Sequence, residues 1–285
     1  MFNVFIATLL GALFTLALSQ GGAQVNGWPA VAVCALIVFG VQWLAFIPAY
    51  LKQTERFYDV TGSLTYISCT LLALSIAGFD EPRALLLAGC VLVWAARLGT
   101  FLFRRVHQDG GDGRFDDIKP KFSSFLTAWT LQGLWVLVTA SAAWTGMLSA
   151  RPAPLSWVDL GGALIWLIGF TIEVTADRQK RAFRARHGAG RFIQEGLWRY
   201  SRHPNYFGEV TLWVGTLLIA LPALSGWQHL SALSPVFVYL LLTRVSGVPM
   251  LEERARARWG DDPAYQAYVA RTFRMLPWPK SSEGS

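Results

Sequence analysis

A dense group of polar residues occupies the stretch RYSRHPNYFGEV, residues 199–210, directly before an apolar run. Pro204 suits the first position of a helix, where its missing N–H costs nothing. Arg199, Arg202 and His203 then crowd the N-terminus of that helix. Its free N–H groups and positive dipole end favour an anion. The stretch therefore predicts a phosphate-binding helix start.

Two further residues give this helix a second kind of chemistry. Asn205 and Glu209 lie one turn apart, so they share a face. Glu209 accepts hydrogen bonds, and Asn205 both donates and accepts, which suits a carboxamide or a ribose hydroxyl. Together the residues predict a site for a ligand with anionic and amide ends. The alternative is that Arg202 and His203 only anchor the chain at a membrane interface.

A second polar stripe precedes this stretch. Glu173, Asp177, Arg181 and Arg184 are spaced four, four and three apart and share one face of a helix leaving an apolar run. A carboxylate within such a run is costly in lipid, so Glu173 is expected to face protein or a cavity. The stripe predicts a ligand-binding face, and a salt-bridged helix surface is the alternative.

The composition indicates what must position these side chains. The chain has 285 residues, is 53% hydrophobic and only 15% charged, and has a mean hydropathy of +0.37, as in polytopic membrane proteins. Strand alternation is absent, and backbone groups in lipid must be satisfied within each segment, so helices are predicted. Eight runs approach the length of a membrane-spanning helix, at about 3–19, 29–50, 63–79, 84–103, 124–148, 157–176, 207–223 and 230–249.

The basic residues predict the orientation of these spans. Segments 51–62, 104–123, 177–206 and the tail from 250 hold two, five, eight and six of the 25 lysines and arginines. These segments alternate with poorly basic loops, and basic loops normally face the cytoplasm. The fold prediction is an all-α, polytopic integral membrane bundle of seven to eight transmembrane helices with both termini cytoplasmic. The clustering beside spans argues against nucleic acid as the partner.

The organisation along the chain is simple. No internal repeat or linker divides it, so residues 1–279 are predicted to form a single membrane-embedded domain, with a disordered tail at 280–285. Cys34, Cys69 and Cys90 lie singly in different apolar runs, which indicates buried thiols. The four histidines are scattered and no HExxH motif occurs, so no metal site is predicted. The glycine-rich stretches lack the GxGxxG spacing of a Rossmann turn.

The stretch RHPNYFGE, the segment from Glu173 through Glu209 and the tail ending RTFRMLPWP resemble the steroid 5α-reductase family and its bacterial relatives. The resemblance covers roughly residues 50–279. The wider superfamily includes sterol reductases and isoprenylcysteine methyltransferases, which share an Arg-His-Pro-x-Tyr-x-Gly motif. The motif NYFGE is closer to the reductases. The resemblance implies NADPH as the cofactor.

The resemblance also implies the cofactor-binding residues. They fall mainly in segments 104–123, 173–209 and 250–279, and the tail is expected to close over the cofactor. Asn205 and Glu209 match residues that hold the nicotinamide carboxamide, while Asp177, Arg181 and Arg184 match a helix facing ribose and phosphate. The remaining implied cofactor residues are Arg114, Glu173, Tyr200, Arg202, His203, Tyr206, Glu253, Arg254, Tyr265 and Tyr268.

The resemblance also implies the catalytic and substrate-binding residues. The family's Gln-Glu pair, which meets the steroid carbonyl, maps to Gln53 and Glu55, here separated by one residue. A tyrosine that partners this glutamate aligns on Trp94, so its role either passes to Tyr66 or Tyr58 or is lost. Arg97 resembles an arginine three residues beyond that tyrosine. Glu55, Gln53 and Tyr66 are the implied catalytic residues, with Trp94, Tyr58 and Arg97 at the substrate.

These residues give the hypothesis of an NADPH-dependent reductase of 3-oxo-Δ4-steroids or another lipid enone. Hydride transfer to C5 places negative charge on the ketone oxygen, which needs a donor. A protonated Glu55, with its pKa raised by burial and its side chain oriented by Gln53, is predicted to supply it. The lipophilic substrate is expected to enter from membrane lipid.

Two rival functions belong to other classes. One is an S-adenosylmethionine-dependent membrane methyltransferase, whose demand for arginine is smaller because it binds no 2′-phosphate. The other is a carrier or scaffold that only contacts anionic lipid, which leaves the Asn205 and Glu209 pair unexplained. The predominance of Arg over Lys, twenty to five, suggests a bacterial inner membrane. A monomer is expected.

Overall fold

The computed structural model describes residues 1–109, 112–151, 153–188 and 190–276, with the backbone alone at 105–109. The predicted disordered tail at 280–285 lies outside the described residues, as do residues 277–279 of the predicted cofactor tail. The described chain is built from ten α-helices. They are α1 (Phe2–Leu18), α2 (Ala30–Leu51), α3 (Tyr58–Ala77), α4 (Pro82–Asp109), α5 (Phe122–Met147), α6 (Trp157–His187), α7 (Pro204–Ala220), α8 (Leu233–Leu240), α9 (Val248–Trp259) and α10 (Pro263–Arg271).

Shorter elements join these helices. The strands β1 (Gln24–Val25) and β2 (Trp28–Pro29) form an antiparallel hairpin in which Val25 pairs with Trp28. Asn26 and Gly27 occupy its turn with φ of 50° and 80°, the left-handed backbone that a tight hairpin turn requires. Other short helical segments are Gly113–Phe115, Gly196–Arg199, Leu221–Ala223, Gly226–Ala232 and a π-helix at Leu241–Val245.

The prediction of a polytopic helical membrane bundle is confirmed. Seven helical segments of the described chain are long and apolar enough to cross a bilayer, and they overlap the last seven predicted runs. They are Ala30–Leu51, Tyr58–Ala77, Pro82–Arg104, Phe122–Met147, Trp157–His187, Pro204–Ala223 and Gly226–Trp259. The first predicted run forms α1, an apolar helix of 17 residues that is shorter than the others.

The chain divides into two compact units. The first comprises Met1–Leu160 and Thr216–Ser234, and the second comprises Gly161–Gly215 and Pro235–Ser285. In the first unit, α2 and α4 each pack against both α3 and α5, and α1 packs against α5. Polar side chains tie these helices together: Gln42 Nε2 donates to Thr65 Oγ1 at 3.0 Å, and Trp144 Nε1 donates to Thr70 Oγ1 at 2.9 Å. Such bonds help helices associate where lipid supplies no hydrophobic drive.

A buried ion pair in the first unit joins the start of α4 to the start of α6. Arg83, in the first turn of α4, donates from Nε and Nη2 to the two carboxylate oxygens of Asp159 at 2.8 and 2.9 Å. Arg83 also donates to the carbonyls of Ala153 and Pro154, and Ser156 donates to Asp159. Both charged side chains are only 2% exposed. Each charge is therefore surrounded by the hydrogen bonds that burial demands.

In the second unit, α6 and α7 approach so closely that backbone touches backbone. A methyl group on Gly169 would lie 2.5 Å from Leu212 N, and one on Gly208 would lie 2.6 Å from Glu173 N. A methyl group on Gly215 would likewise lie 2.5 Å from Trp166 N. These distances are too short for a real side-chain carbon, so glycine is required at the three positions. Small residues are the usual means of close helix contact in membranes.

This packing predicts opposite effects for two glycines of α6. Gly169→Ala should destabilise the protein by about 1 to 3 kcal/mol, because the added methyl group must displace the backbone of α7. Gly161→Ala meets nothing within 4 Å and should stabilise by about 0.5 to 1 kcal/mol through the higher helix propensity of alanine. Thermal unfolding in detergent measures both. Equal midpoints for the two variants would contradict the contact.

Candidate functional site

Each unit holds one group of the predicted site residues. The second unit carries the polar segment that begins α7, the stripe on α6 and the tail. The first unit carries Glu55 and its surroundings, together with Arg114.

The structure places the predicted stripe on one continuous helix. Helix α6 extends to His187, so Glu173, Asp177, Arg181 and Arg184 all belong to it. Glu173 and Asp177 are buried, at 3% and 7% exposure, whereas the two arginines are exposed. The stripe thus runs from buried carboxylates to surface cations.

The close contact of α6 and α7 brings two predicted groups into one packed region. The position of a methyl group on Gly208 lies 2.6 Å from Glu173 N, and Gly208 immediately precedes Glu209. Helix α7 begins at Pro204, as predicted, so Asn205 and Glu209 lie in its first two turns. The buried end of the stripe therefore adjoins the polar start of α7.

The start of α7 is held by the C-terminal tail. Arg202 N donates to Phe273 O at 3.0 Å, and Ser201 Oγ donates to Met275 O at 2.7 Å. Ser201 Oγ also accepts from His203 N at 3.2 Å. These bonds fix the backbone at residues 201–203 while leaving the side chains of Arg202 and His203 for other partners.

Four polar atoms in this short segment are buried without a hydrogen-bond partner in the described chain. They are Arg202 Nε, both ring nitrogens of His203 and Asn205 Oδ1. The His203 ring stacks on Tyr206, with centroids 5.6 Å apart and an angle of 9° between the planes. Buried polar groups normally find partners, so each exception calls for an explanation, and a bound ligand is one. These atoms can donate to and accept from a ligand.

Glu252, which the sequence analysis did not identify, adds a carboxylate beside Arg202 and His203. Glu252 Oε2 lies 2.9 Å from Arg274 Nη2, and Oε1 lies 3.3 Å from Arg202 Nη2 and 3.6 Å from His203 Nε2. Its neighbours Glu253 and Arg254, the predicted pair, are exposed. Helical spacing from buried Val248 could have identified it, because residue 252 lies one turn further on the same face.

Two predicted tyrosines of the tail serve as packing groups. Tyr268 is buried and its hydroxyl donates to Trp198 O at 2.7 Å, while burial raises the pKa of its phenol. Tyr265 packs against Phe192, with centroids 5.2 Å apart. Tyr200, a predicted cofactor residue outside the tail, is exposed. The tail is thus anchored to segment 190–199 by aromatic contacts.

In the first unit, Glu55 is buried in a set of charge-assisted hydrogen bonds. Its Oε1 accepts from Asp112 N at 2.9 Å and its Oε2 accepts from Lys119 Nζ at 3.0 Å. Burial alone would raise the pKa of Glu55, but these two donors outweigh it, and the pKa lies below the ordinary value of 4.5. The prediction of a raised pKa and a protonated Glu55 is wrong, because the sequence did not reveal that Lys119 and the Asp112 amide face the carboxylate.

The remaining predicted residues of the first unit lie in several environments. Gln53 is exposed, has a positive φ of 49° and donates to Tyr50 O at 2.7 Å. The Tyr58 hydroxyl donates to Ala128 O at 2.9 Å, so it does not donate to the Glu55 carboxylate. The guanidinium of Arg114 forms an ion pair with the carboxylate of Asp112.

A predicted catalytic residue, Tyr66, and a predicted substrate residue, Trp94, pack together inside this unit. Tyr66 and Trp94 are buried, and their rings meet edge-on with centroids 5.1 Å apart. The guanidinium of Arg97, one turn along α4, lies 5.4 Å from the Phe101 ring. Tyr66 and Trp94 are therefore buried neighbours.

A family described as "Protein of unknown function (DUF1295)" matches residues 45–272. The chain belongs to this family. The DUF1295 match begins within α2 and ends just after α10, so it contains every site residue predicted from the sequence and leaves out α1. It also contains Glu252 and Lys119, the two partners that the structure added.

A curated relative extends the comparison to a eukaryote. An "Uncharacterized protein C594.04c" of Schizosaccharomyces pombe is 24% identical over 227 residues, which cover 68% of this chain. The chain spans 63% of the length of that relative. No solved structure matches the DUF1295 chain.

Proposed function

We propose that this chain is an NADPH-dependent membrane reductase that acts on a carbon–carbon double bond conjugated to a ketone, in a lipophilic substrate of the 3-oxo-Δ4-steroid class. The observation that carries the proposal is the set of buried, unpartnered polar atoms at residues 202–205 beside the start of α7. The resemblance of RHPNYFGE to the steroid 5α-reductases supports the same cofactor, and the DUF1295 family is associated with membrane proteins of that kind.

The residues present fit the chemistry of a dinucleotide. A carboxamide offers N–H donors that Asn205 Oδ1 and the Glu209 carboxylate accept. The free N–H groups at the α7 N-terminus are suited to bind a phosphate. Arg202 can donate to it from Nε, which has no hydrogen-bond partner in the described chain. When bound, the reduced nicotinamide supplies a hydride. Asp177 and Arg184 are proposed to meet ribose and the 2′-phosphate, as their family counterparts do.

The proposal for the ketone end changes in the light of the Glu55 environment. Reduction places negative charge on the ketone oxygen, which requires a positioned donor. An ammonium has three N–H groups, and Lys119 uses two of them, on Glu55 and on Asp116. We therefore assign the donor role to Lys119 and a positioning role to Glu55. Water protonates the α carbon.

Thermal unfolding of the purified protein in detergent tests the cofactor. A ligand that binds only the folded state at a concentration about 100 times its Kd stabilises by about 2.7 kcal/mol. We expect NADPH to raise the midpoint more than NADH does, and S-adenosylhomocysteine to leave it unchanged. A rise with S-adenosylhomocysteine alone would assign the site to methyl transfer, and no rise with any of the three would favour a non-enzymatic carrier.

Asn205→Ala should weaken NADPH binding about tenfold or more, because the carboxamide loses a buried acceptor. The midpoint of the ligand-free protein should not fall, since Asn205 Oδ1 has no hydrogen bond in the described chain to lose. Fluorescence titration gives the Kd. Asn3→Ala, at an exposed position of α1, is the matched control. An unchanged Kd in Asn205→Ala would remove this residue from the cofactor site.

A further inference from the structure

Glu252 occupies a position that no sequence motif assigned. It lies in the second turn of α9, and its side chain is only 14% exposed. Its carboxylate faces three nitrogen-bearing side chains: Arg274, Arg202 and His203. Arg202 and His203 belong to the segment in which several buried polar atoms lack hydrogen-bond partners among the described residues. Glu252 therefore touches the proposed binding segment from a different part of the chain.

The protonation of His203 depends on its burial. The residue is 6% exposed, and this burial lowers the pKa of the imidazole from 6.5, although the Glu252 carboxylate partly opposes the shift. Arg202 and Lys180 also disfavour a second positive charge there. A neutral imidazole is the form expected at neutral pH. It has one N–H donor and one lone-pair acceptor, and its environment decides which nitrogen carries the proton.

The geometry decides between the two tautomers. His203 Nε2 faces Glu252 Oε1 at 3.6 Å. A proton on Nε2 points towards the negative carboxylate, whereas a lone pair on Nε2 would be repelled by it. The proton is thus favoured on Nε2, and Nδ1 is left with a lone pair. Stacking on Tyr206 fixes the plane of the ring, so this lone pair has a defined direction.

We infer that Glu252 is a positioning residue that holds His203 as the Nε2–H tautomer and thereby presents Nδ1 as a buried acceptor for an N–H or O–H donor of the ligand. The choice of NADPH as that ligand depends on the proposed function, and its carboxamide and ribose hydroxyls are the donors available. The tautomer itself does not depend on the ligand. The same carboxylate orients Arg202 through Nη2 and leaves Nε as a donor.

The first test is nitrogen NMR of the ligand-free protein with 15N-labelled histidine. His203→Gln identifies the His203 signals among those of the four histidines. The wild type should show a protonated Nε2 and an unprotonated Nδ1, and Glu252→Gln should lose this preference. Glu252→Asp keeps a carboxylate and should retain it. A protonated Nδ1 in the wild type, or identical signals in Glu252→Gln, would overturn the inference.

Glu195→Gln is the matched control, since it also removes a carboxylate paired with an arginine, but at an exposed position. Its His203 signals should equal those of the wild type. If Glu252→Gln fails to fold, the wild-type spectrum still tests the inference, because a protonated Nδ1 would overturn it. Loss of the Nε2–H form in Glu195→Gln would contradict the specific role of Glu252.

NADPH titration tests the ligand part. Glu252→Gln should raise the Kd about 10- to 100-fold, as loss of an orienting partner does at other sites, and Glu252→Asp should recover part of the affinity. An unchanged Kd in Glu252→Gln would overturn this part. If the wild type does not bind NADPH, the proposed function fails, whereas the NMR result still decides whether Glu252 sets the tautomer.

Discussion

Replacing Arg83 by methionine is expected to destabilise the protein by about 3 to 5 kcal/mol, because the substitution leaves the Asp159 carboxylate buried without its cation. Arg83 and Asp159 share two hydrogen bonds at 2.8 and 2.9 Å, and each is 2% exposed. The carbonyls of Ala153 and Pro154 lose a donor in the same step. The fall in the unfolding midpoint of the detergent-purified protein measures the effect.

Two variants make this test specific. Arg151→Met removes an arginine from the connection between α5 and α6, whose carbonyls Arg83 contacts. Arg151 is exposed, so little change in stability is expected. In the double variant Arg83→Met with Asp159→Leu, both charges are absent, and much of the lost stability should return. A double variant as unstable as Arg83→Met would show that the damage comes from lost packing, and not from the orphaned charge.

Glu55→Gln is expected to destabilise the first unit by about 1.5 to 3 kcal/mol, because the amide replaces a carboxylate that accepts two charge-assisted hydrogen bonds. The effect should depend on pH. The pKa of Glu55 in the folded protein lies below 4.5, so its contribution is fully present above about pH 4.5 and disappears as the pH falls through the folded value. Unfolding midpoints of the two proteins should therefore differ at pH 7 and converge in acid.

Turnover of an enone distinguishes whether Lys119 or Glu55 donates to the ketone oxygen. If Lys119 donates to the ketone oxygen, Lys119→Met should lower turnover at least as much as Glu55→Gln does, with NADPH affinity retained in both. If Glu55 were the acid, removal of Lys119 would favour its protonated form, and Lys119→Met would retain activity. The neighbouring Lys121→Met, which removes a charge outside the pair, is the control.

The helices could be predicted from the sequence because apolar length and alternating basic loops are local signals. The start of α7 at Pro204 and the stripe on α6 follow from the residues themselves. The extent of α6 to His187 follows from the same period continuing past the apolar run. The first predicted run, about 3–19, forms α1 (Phe2–Leu18), which is shorter than the seven segments long enough to cross a bilayer.

The electrostatic partners could not be predicted, because they are brought together by tertiary packing. Glu55 is separated by 64 residues from Lys119 and by 57 from Asp112, and these two donors together keep the carboxylate ionised. Glu252 and Arg202 are 50 positions apart, and sequence likeness directed attention to Glu253 instead. A pKa depends on such neighbours, so burial was a poor guide to the protonation of Glu55.

Trp198 lies in the second unit with its indole enclosed on several sides. Its Nε1 donates to Ala176 O at 3.0 Å, Lys180 Nζ lies 4.8 Å from the ring, and its carbonyl accepts the Tyr268 hydroxyl. An indole in so fixed an environment emits at a well-defined wavelength, and reduced nicotinamide absorbs in the region where indoles emit. The chain has thirteen tryptophans, so the share of Trp198 is the emission that Trp198→Phe removes. Quenching of that share by added NADPH would report the proposed binding without a label.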